Sequence, residues 1–364
     1  MTLDNNQEAF LALVRAGLWE KEARFSLYNH VDYAAIRSLA EEQSVIGLVT
    51  AGIEHVADIM VPQVEVLQFV GSTLQIEQKN KELNSYLEEL TELLRKNDVY
   101  AVLVKGQGIA QCYGKPLWRA SGDVDLLLSD SNYEKAKKVL IPLAEDVENE
   151  YKAFKHIGMT MDSGFVVELH GTMHSRLSGR VDKVIDVAQK DVFYGGNVRP
   201  WKNGNTTVFL PSPDNDVIFV FTHILHHYYI EGIGLRQICD WCRLLWTYRE
   251  SLNYGLLESR IRKAGLMSEW KAFAALAVQY LGMPIEAMPM YSNDKKWSKK
   301  SERIIDFVLK CGNFGHNRKV VSGKISSAWY KFIDFACHSF VFPVDSMKFF
   351  SHFVVDGLKV AITK

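Results

Sequence analysis

The segment from Gly122 to Leu128 constrains the chain most, because it places two carboxylates on one face of a short apolar strand. Side chains alternate across a strand, so Asp123 and Asp125 point to the same side while Val124 points into the core. Their Cα atoms then lie roughly 6–7 Å apart, and this spacing suits hard divalent cations, which prefer carboxylate oxygens. On these two residues alone, an exposed strand face is the alternative interpretation.

A later segment supplies a third acidic side chain. Residues 165–170 alternate between apolar and polar types, which places Glu168 and His170 on one face of a predicted strand. Glu168 is the natural third metal-binding carboxylate, and a role as general base is its alternative. His170 is predicted either to orient a carboxylate or touch the substrate, or to be a packed structural histidine.

A glycine-containing turn precedes the carboxylate strand. The β-branched run at 99–104 predicts a buried strand, and the turn after it is predicted to open a brief helix that ends at Tyr113. Backbone N–H groups of such a turn can bind a phosphate. The residues predicted to bind phosphate here are Lys105, Gly106, Gln107, Gly108 and Gly122. Arg119 is predicted to be a phosphate clamp, with an ordinary surface arginine as the alternative.

The periodicity of apolar residues divides the chain into three regions. Residues 1–98 repeat apolar side chains every three or four positions and are predicted to be helical, residues 99–211 contain the predicted strands, and residues 212–364 are again helical. Ser212-Pro213 is predicted to begin the last region, since proline is tolerated at the first helical position. We therefore expect a catalytic core at 99–211 between two helical regions.

Within the central region the sequence predicts a second strand at 123–128, two or three strands between 148 and 170, and another at 207–210. A helix is predicted from Tyr133 to Leu143. Its expected N-cap is Ser131, with Glu134 completing a capping box.

The charge balance of the sequence limits the kinds of substrate that the protein can bind. With 42 Lys+Arg against 43 Asp+Glu the formal net charge is −1, so the chain lacks the basic field that holds long nucleic acid. A small-molecule or protein substrate fits better.

The N-terminus lacks a secretory signal pattern and no apolar run reaches the ~18 residues of a membrane span, which predicts a cytoplasmic protein without integral membrane association. The segment 340–362 is predicted to be a core helix, with a peripheral membrane helix as the alternative.

Three further residue pairs have spacings that indicate a functional site less specifically. Cys239 and Cys242 have redox or zinc spacing, but no second such motif accompanies them, so half-buried helix cysteines are the favoured interpretation. His223 and His227 have the i, i+4 spacing of metal ligands without the glutamate of a metalloprotease motif. Arg236 and Asp240 are also four apart and are predicted to pair on a helix surface, with a substrate-side role as the alternative.

Taken together, these motifs resemble a known family. The resemblance spans about residues 85 to 245 and lies in Leu103–Gly106, Tyr113–Pro116, Arg119, Gly122–Leu127 and Val167–His170. These segments resemble the uncharacterised nucleotidyltransferase family of the DNA polymerase β-like nucleotidyltransferase superfamily. The resemblance implies an α+β fold with a small mixed sheet and flanking helices, to which N- and C-terminal helical regions are added.

The resemblance also implies an activity. Asp123, Asp125 and Glu168 would be catalytic, metal-binding carboxylates for Mg²⁺ (or Mn²⁺). A nucleoside triphosphate would donate its nucleoside monophosphate to an unidentified small-molecule or protein acceptor, and pyrophosphate would be released.

One departure from the superfamily concerns the glycine turn. The superfamily usually has Gly-Ser or Gly-Gly there, whereas this chain has Gly106-Gln107-Gly108, and Lys105 or Gln107 is the expected substitute for the missing serine contact. The alternatives to an enzyme are a catalytically degenerate nucleotide-binding protein and an antitoxin-like regulatory or scaffold protein on the same fold. The presence of all three carboxylates favours the enzyme.

Overall fold

The computed structural model describes residues 3–230, 232–313 and 324–351. The chain begins with four helices, α1 (Asn5–Trp19), α2 (Tyr33–Glu42), α3 (Ile46–Ile53) and α4 (Gln63–Lys96). A capping box starts α1, because the Asp4 carboxylate accepts from the backbone of Gln7 and the Gln7 side chain accepts from the backbone of Asp4. The predicted N-terminal helices are confirmed.

A five-stranded sheet follows. Its strands are β1 (Ala101–Val104), β2 (Val124–Leu128), β3 (Ala144–Val147), β4 (His156–Met161) and β5 (Val166–His170), in the spatial order β1-β2-β5-β4-β3. Strands β2 and β5 are parallel and the other neighbours are antiparallel. The fold is therefore mixed α+β with a small mixed sheet, as expected.

The sheet lies between two hydrophobic cores, and this arrangement directs the acidic side chains. Leu126 and Leu128 of β2 pack into the smaller core with the end of α4, whereas Leu127 packs into the larger, helical core. Because side chains alternate, Asp125 projects on the same side of the sheet as Leu127. The acidic face of the sheet consequently faces the helices of the larger core.

Three helices and a hairpin complete the central region. The helices are α5 (Gly106–Ala110), α6 (Asp130–Leu140) and α7 (Gly179–Tyr194), and the hairpin consists of β6 (Val198–Asn203) and β7 (Thr206–Pro211). The prediction of a strand at 207–210 is confirmed, and the region between 148 and 170 contains two strands, β4 and β5.

Three predicted boundaries are wrong. The helix α5 ends at Ala110 rather than Tyr113. The helix α6 begins at Asp130, so Ser131 lies inside it and caps nothing. It ends at Leu140, and a 3-10 turn containing Pro142 separates it from the edge strand β3, because a proline inside a helix removes a backbone donor.

The described residues of the C-terminal region are mainly helical, as predicted. It contains α8 (Pro213–Ile230), α9 (Leu235–Tyr248), α10 (Tyr254–Ala264), α11 (Met267–Leu281), α12 (Lys295–Cys311) and α13 (Lys324–Val341). The rings of Phe221, Trp241 and Trp270 pack against one another at centroid distances of 4.7–5.3 Å and join α8, α9 and α11. Residues 352–362 of the predicted terminal helix lie outside the described residues.

Two further predictions concern membranes and cysteines. No helix in the described part of the chain has the length and apolar character needed to cross a membrane.

Cys239 and Cys242 are unpaired in α9 and fully buried rather than half-buried, and burial raises the pKa of both thiols. Because the thiolate is the reactive form, these cysteines are structural.

Candidate active site

A cleft of about 570 Å³ opens between the polar face of the sheet and helices α8 and α9. This volume is in the range of small-molecule sites. All but two of the residues predicted for the site line it, namely Lys105, Gly106, Arg119, Gly122, Asp123, Asp125, Glu168 and His170.

The positions of the three carboxylates follow from the parallel pairing of β2 with β5. Asp125 stands directly opposite Glu168 in the register, and Asp123 immediately precedes β2 at the mouth of the cleft. Partial burial, together with the charges of Glu168 and Asp125, raises the pKa of Asp123. The three acids therefore repel one another, and a cation placed among them would relieve this repulsion.

His170 connects two of these carboxylates. Its Nε2 lies 2.9 Å from Oδ1 of Asp125 and 3.3 Å from Oε2 of Glu168. Burial lowers the pKa of His170, but the contacts with the two carboxylates outweigh burial, and the net shift is upward. Burial also opposes ionisation of Glu168, yet its contacts with His156 and His170 hold the pKa of its carboxyl well below the usual range.

Sequence reasoning missed His156. Its Nε2 lies 3.2 Å from Oε2 of Glu168, and its ring centroid is 4.7 Å from that of His170. The missed signal was the alternation in 156–161, where apolar residues at 157, 159 and 161 put His156 on the polar face. Since β4 pairs with β5, this face continues the acidic one.

Lys105 supplies a cation at the floor of the cleft. It adopts a left-handed φ of 59° just before α5, and its Nζ lies 2.7 Å from Oδ1 of Asp125. Burial lowers the pKa of Lys105, but the charges of Asp125 and Glu168 outweigh it, so the pKa is raised and the side chain stays charged. Gly106 continues the turn with a φ of 39°, a conformation that glycine adopts without steric cost.

Gln107 and Gly108 have structural roles in the turn. The Gln107 side chain is buried, donates to Oδ1 of Asn84 at 2.7 Å and accepts from Oγ of Ser121 at 2.7 Å. A Cβ on Gly108 would lie 2.8 Å from a methyl group of Leu210, so a larger residue at this position would displace that side chain. Both residues are absent from the cleft lining, and we assign them no phosphate contact.

Arg119 is buried in an ion pair, which neither prediction for it anticipated. Its Nε and Nη2 donate to the two carboxylate oxygens of Asp240 at 2.8 and 2.7 Å, and the Tyr113 hydroxyl donates to Oδ1 of Asp240 at 2.7 Å. Arg119 reaches the cleft wall with its charge already neutralised. This bidentate geometry, typical of guanidinium and carboxylate, favours a role in holding α9 against the segment that precedes β2.

The predicted surface pair of Arg236 and Asp240 is wrong, because Asp240 is buried and engaged by Arg119. Arg236 instead lines the cleft and donates to the backbone oxygen of Ala120 at 3.0 Å. Among the described residues it has no carboxylate within ion-pair distance, and burial and the nearby Arg119 lower its pKa to about 10. Arg236 is therefore a cation available to an anionic ligand.

His223 and His227 lie on the helical wall of the cleft with their Nε2 atoms 2.9 Å apart. Burial and neighbouring cations, Lys105 first, lower the pKa of His223 well below its usual value. Within the described residues, no third potential ligand lies close enough to complete a metal site with this pair. The one group of this kind found there consists of His156, Glu168 and His170.

Comparison with known proteins identifies the family. No curated protein and no solved structure matches the chain. A family model described as uncharacterised nucleotidyltransferase matches residues 29–282, which include both walls of the cleft. The chain therefore belongs to the uncharacterised nucleotidyltransferase family.

Proposed function

We propose that this protein transfers a nucleoside monophosphate from a nucleoside triphosphate to a small-molecule or protein acceptor. Residues 99–211 form the catalytic core, with a polymerase β-like arrangement of the sheet, and the helical regions 1–98 and 212–364 flank it. Helices α8 and α9 of the last region supply the second wall of the cleft. Family membership supports the transferase class.

The observation that carries the proposal is the register of two parallel strands. Asp125 and Glu168 are Cα partners, and Asp123 precedes Asp125 by two residues on the same strand path. All three carboxylates line a cleft that also contains cations. Phosphoryl transfer depends on positioning and charge neutralisation, and this arrangement provides both.

The carboxylates fit divalent cations of the Mg²⁺ or Mn²⁺ type. Asp123, Asp125 and Glu168 offer hard oxygen ligands, and their mutual repulsion, seen in the raised pKa of Asp123, favours a bound cation. When bound, such ions lower the pKa of an acceptor oxygen and neutralise charge on a triphosphate. In the reaction, the acceptor hydroxyl releases its proton to solvent and its oxygen bonds to the α-phosphorus, while the bond from that phosphorus to the bridging oxygen breaks and pyrophosphate leaves.

Two cations are placed to bind the triphosphate. Lys105 projects into the cleft from the floor, and Arg236 projects from α9 without a carboxylate partner among the described residues. Guanidinium groups bind phosphate oxygens with two parallel hydrogen bonds. Arg236 thereby takes the phosphate-clamp role first predicted for Arg119.

Glu168 acts as a metal ligand rather than as the acceptor's general base. The contacts from His156 and His170 hold its pKa well below the usual range. A base works best when its pKa lies near the working pH. A strongly ionised carboxylate is a poor proton acceptor and a good cation ligand.

A specific contact supports the degenerate alternative. Nζ of Lys105 lies 2.7 Å from Oδ1 of Asp125 and so places a positive charge against a proposed metal ligand. In a protein without metal chemistry this contact would be permanent, and nucleotide would bind without Mg²⁺ or not at all.

Calorimetry separates these possibilities. ATP, GTP, CTP and UTP are titrated with and without Mg²⁺ into the wild-type protein, the double variant Asp123→Ala/Asp125→Ala, and the control Asp130→Ala, whose side chain is exposed and pairs with Lys155. We expect Mg²⁺-dependent binding of at least one nucleotide, lost in the double variant and kept in the control. Metal-independent binding, or no binding of any triphosphate, would contradict the transferase proposal.

A further inference from the structure

The polar face of the sheet carries a second possible ligand set, which differs in chemistry from the three carboxylates. His156 of β4 and Glu168 and His170 of β5 direct their side chains to one point, and the potential ligand atoms all lie within 4.8 Å of one another. The two imidazoles of this set are borderline nitrogen ligands, whereas the three acids offer hard oxygen ligands alone.

The distances suit a small transition-metal ion. Ligands held 2.0–2.2 Å from a tetrahedral zinc ion lie about 3.4 Å apart. Nε2 of His156 is 3.2 Å, and Nε2 of His170 is 3.3 Å, from Oε2 of Glu168. Two of the three separations between ligand atoms are therefore close to those that such an ion requires, and the third is no more than 4.8 Å.

The cluster is also accessible. The side chains of His156 and Glu168 are 25% and 27% exposed, and all three residues line the cleft. Pairing of β4 with β5 fixes the backbone positions, because His156 is the Cα partner of His170. A preformed set of side chains on paired strands binds an ion with little reorganisation.

We propose that His156, Glu168 and His170 form a zinc-class metal site that adjoins the carboxylate site and shares Glu168 with it. Two histidines and one glutamate are a ligand set used for zinc with an open fourth position. The site gives the cleft two unlike cation positions, one for Mg²⁺-type ions and one for an imidazole-bound ion. Its existence does not depend on nucleotidyl transfer, because it follows from the ligand geometry alone.

The test is metal binding in the absence of nucleotide. Protein freed of metal by chelation is titrated with Zn²⁺ by calorimetry, and with Co²⁺ while visible absorption is recorded as a report of nitrogen ligation and geometry. We expect tight Zn²⁺ binding at a single site and the intense absorption of four-coordinate Co²⁺. Replacing His156 with Ala or Gln should weaken Zn²⁺ binding by at least roughly 100-fold, since even loss of an outer partner costs about 10–100-fold.

The matched control is His223→Ala, which removes the i, i+4 pair on α8 from the opposite wall of the same cleft. It should leave Zn²⁺ binding unchanged, and thermal unfolding establishes that each variant is folded. Zn²⁺ binding no tighter than Mg²⁺ binding would overturn the proposal. Unchanged Zn²⁺ affinity in the His156 variants, or loss of Zn²⁺ binding in His223→Ala, would overturn it as well. Nucleotide binding is measured separately with Mg²⁺ alone, so failure of the zinc site and failure of the transferase proposal are distinguishable.

Discussion

Nζ of Lys105 lies 2.7 Å from Oδ1 of Asp125, and the two side chains are only 13% and 10% exposed. The lysine therefore neutralises a carboxylate that we assign to metal binding. Lys105→Met should have opposite effects on two ligands. Affinity for Mg²⁺ alone should rise because Asp125 loses its competing cation, whereas affinity for the nucleotide should fall because the triphosphate loses a positive charge.

The same substitution should lower stability, because breaking a buried ion pair by removing one partner costs about 3–5 kcal/mol. Mg²⁺ should restore part of this loss, and thermal unfolding with and without the ion measures it. A parallel change in both affinities, with no effect of Mg²⁺ on the melting temperature, would show that Lys105 is not linked to a metal site.

Arg236 should contribute directly to nucleotide binding. Hydrogen bonds to charged groups contribute about 1.5–3 kcal/mol, so Arg236→Met should weaken Mg²⁺-dependent triphosphate binding roughly 10- to 100-fold. The control Arg262→Met removes an exposed arginine that pairs with Glu258. Calorimetry on both variants gives the comparison, and equal affinities would remove Arg236 from the binding site.

The ion pair of Arg119 and Asp240 should stabilise the fold. Both side chains are nearly inaccessible, so Asp240→Ala leaves a buried guanidinium without its partner. The free energy of unfolding in urea should fall by about 3–5 kcal/mol. Glu258→Ala, which breaks an exposed helix pair, should cost less than about 0.5 kcal/mol. Similar losses of unfolding free energy in Asp240→Ala and Glu258→Ala would mean that the buried pair does not hold α9 in place.

Glu269 should make stability depend on pH. Burial and the charge of Asp345 raise its pKa to about 8, against the smaller effects of its hydrogen bond from Tyr229 and of Lys300. From about pH 4.5 to 8 the folded protein retains a proton that the unfolded chain has lost, so this residue's contribution makes stability fall as pH rises. Below pH 4.5 both states are protonated, and the contribution is fully favourable.

Glu269→Gln should therefore flatten the decline in unfolding free energy between pH 5 and 8 and stabilise the protein most at pH 8, by a few kcal/mol. Urea unfolding at several pH values measures this. The exposed Glu258→Gln is the control, and a wild-type pH profile retained by Glu269→Gln would show that another group is responsible.

The central strands were predictable because their apolar alternation is local. The pattern at 123–128 and 165–170 gave both strands and the face that carries Asp125 and Glu168. The strand β3 was not predicted, because Ala144-Glu145-Asp146-Val147 is a short polar edge strand whose pairing, rather than its composition, defines it.

The sequence does not show which residues far apart in the chain form ion pairs. Arg119 and Asp240 are 121 residues apart, and nothing in either segment shows that they meet. The i, i+4 spacing of Arg236 and Asp240 suggested a local pair, but the tertiary contact with Arg119 occupies both oxygens of Asp240. This contact leaves Arg236 in the cleft wall without a carboxylate partner among the described residues.

The most direct test of nucleotidyl transfer follows the α-phosphate. The protein is incubated with Mg²⁺, a cell extract as the source of acceptor, and the nucleoside triphosphate selected by calorimetry, labelled either at the α- or at the γ-phosphate. We expect label from the α-phosphate to enter an acceptor and label from the γ-phosphate to leave as pyrophosphate. Both products should be absent with Asp123→Ala/Asp125→Ala. Transfer of the γ-label to an acceptor, or equal α-labelling by the double variant, would contradict nucleotidyl transfer at these carboxylates.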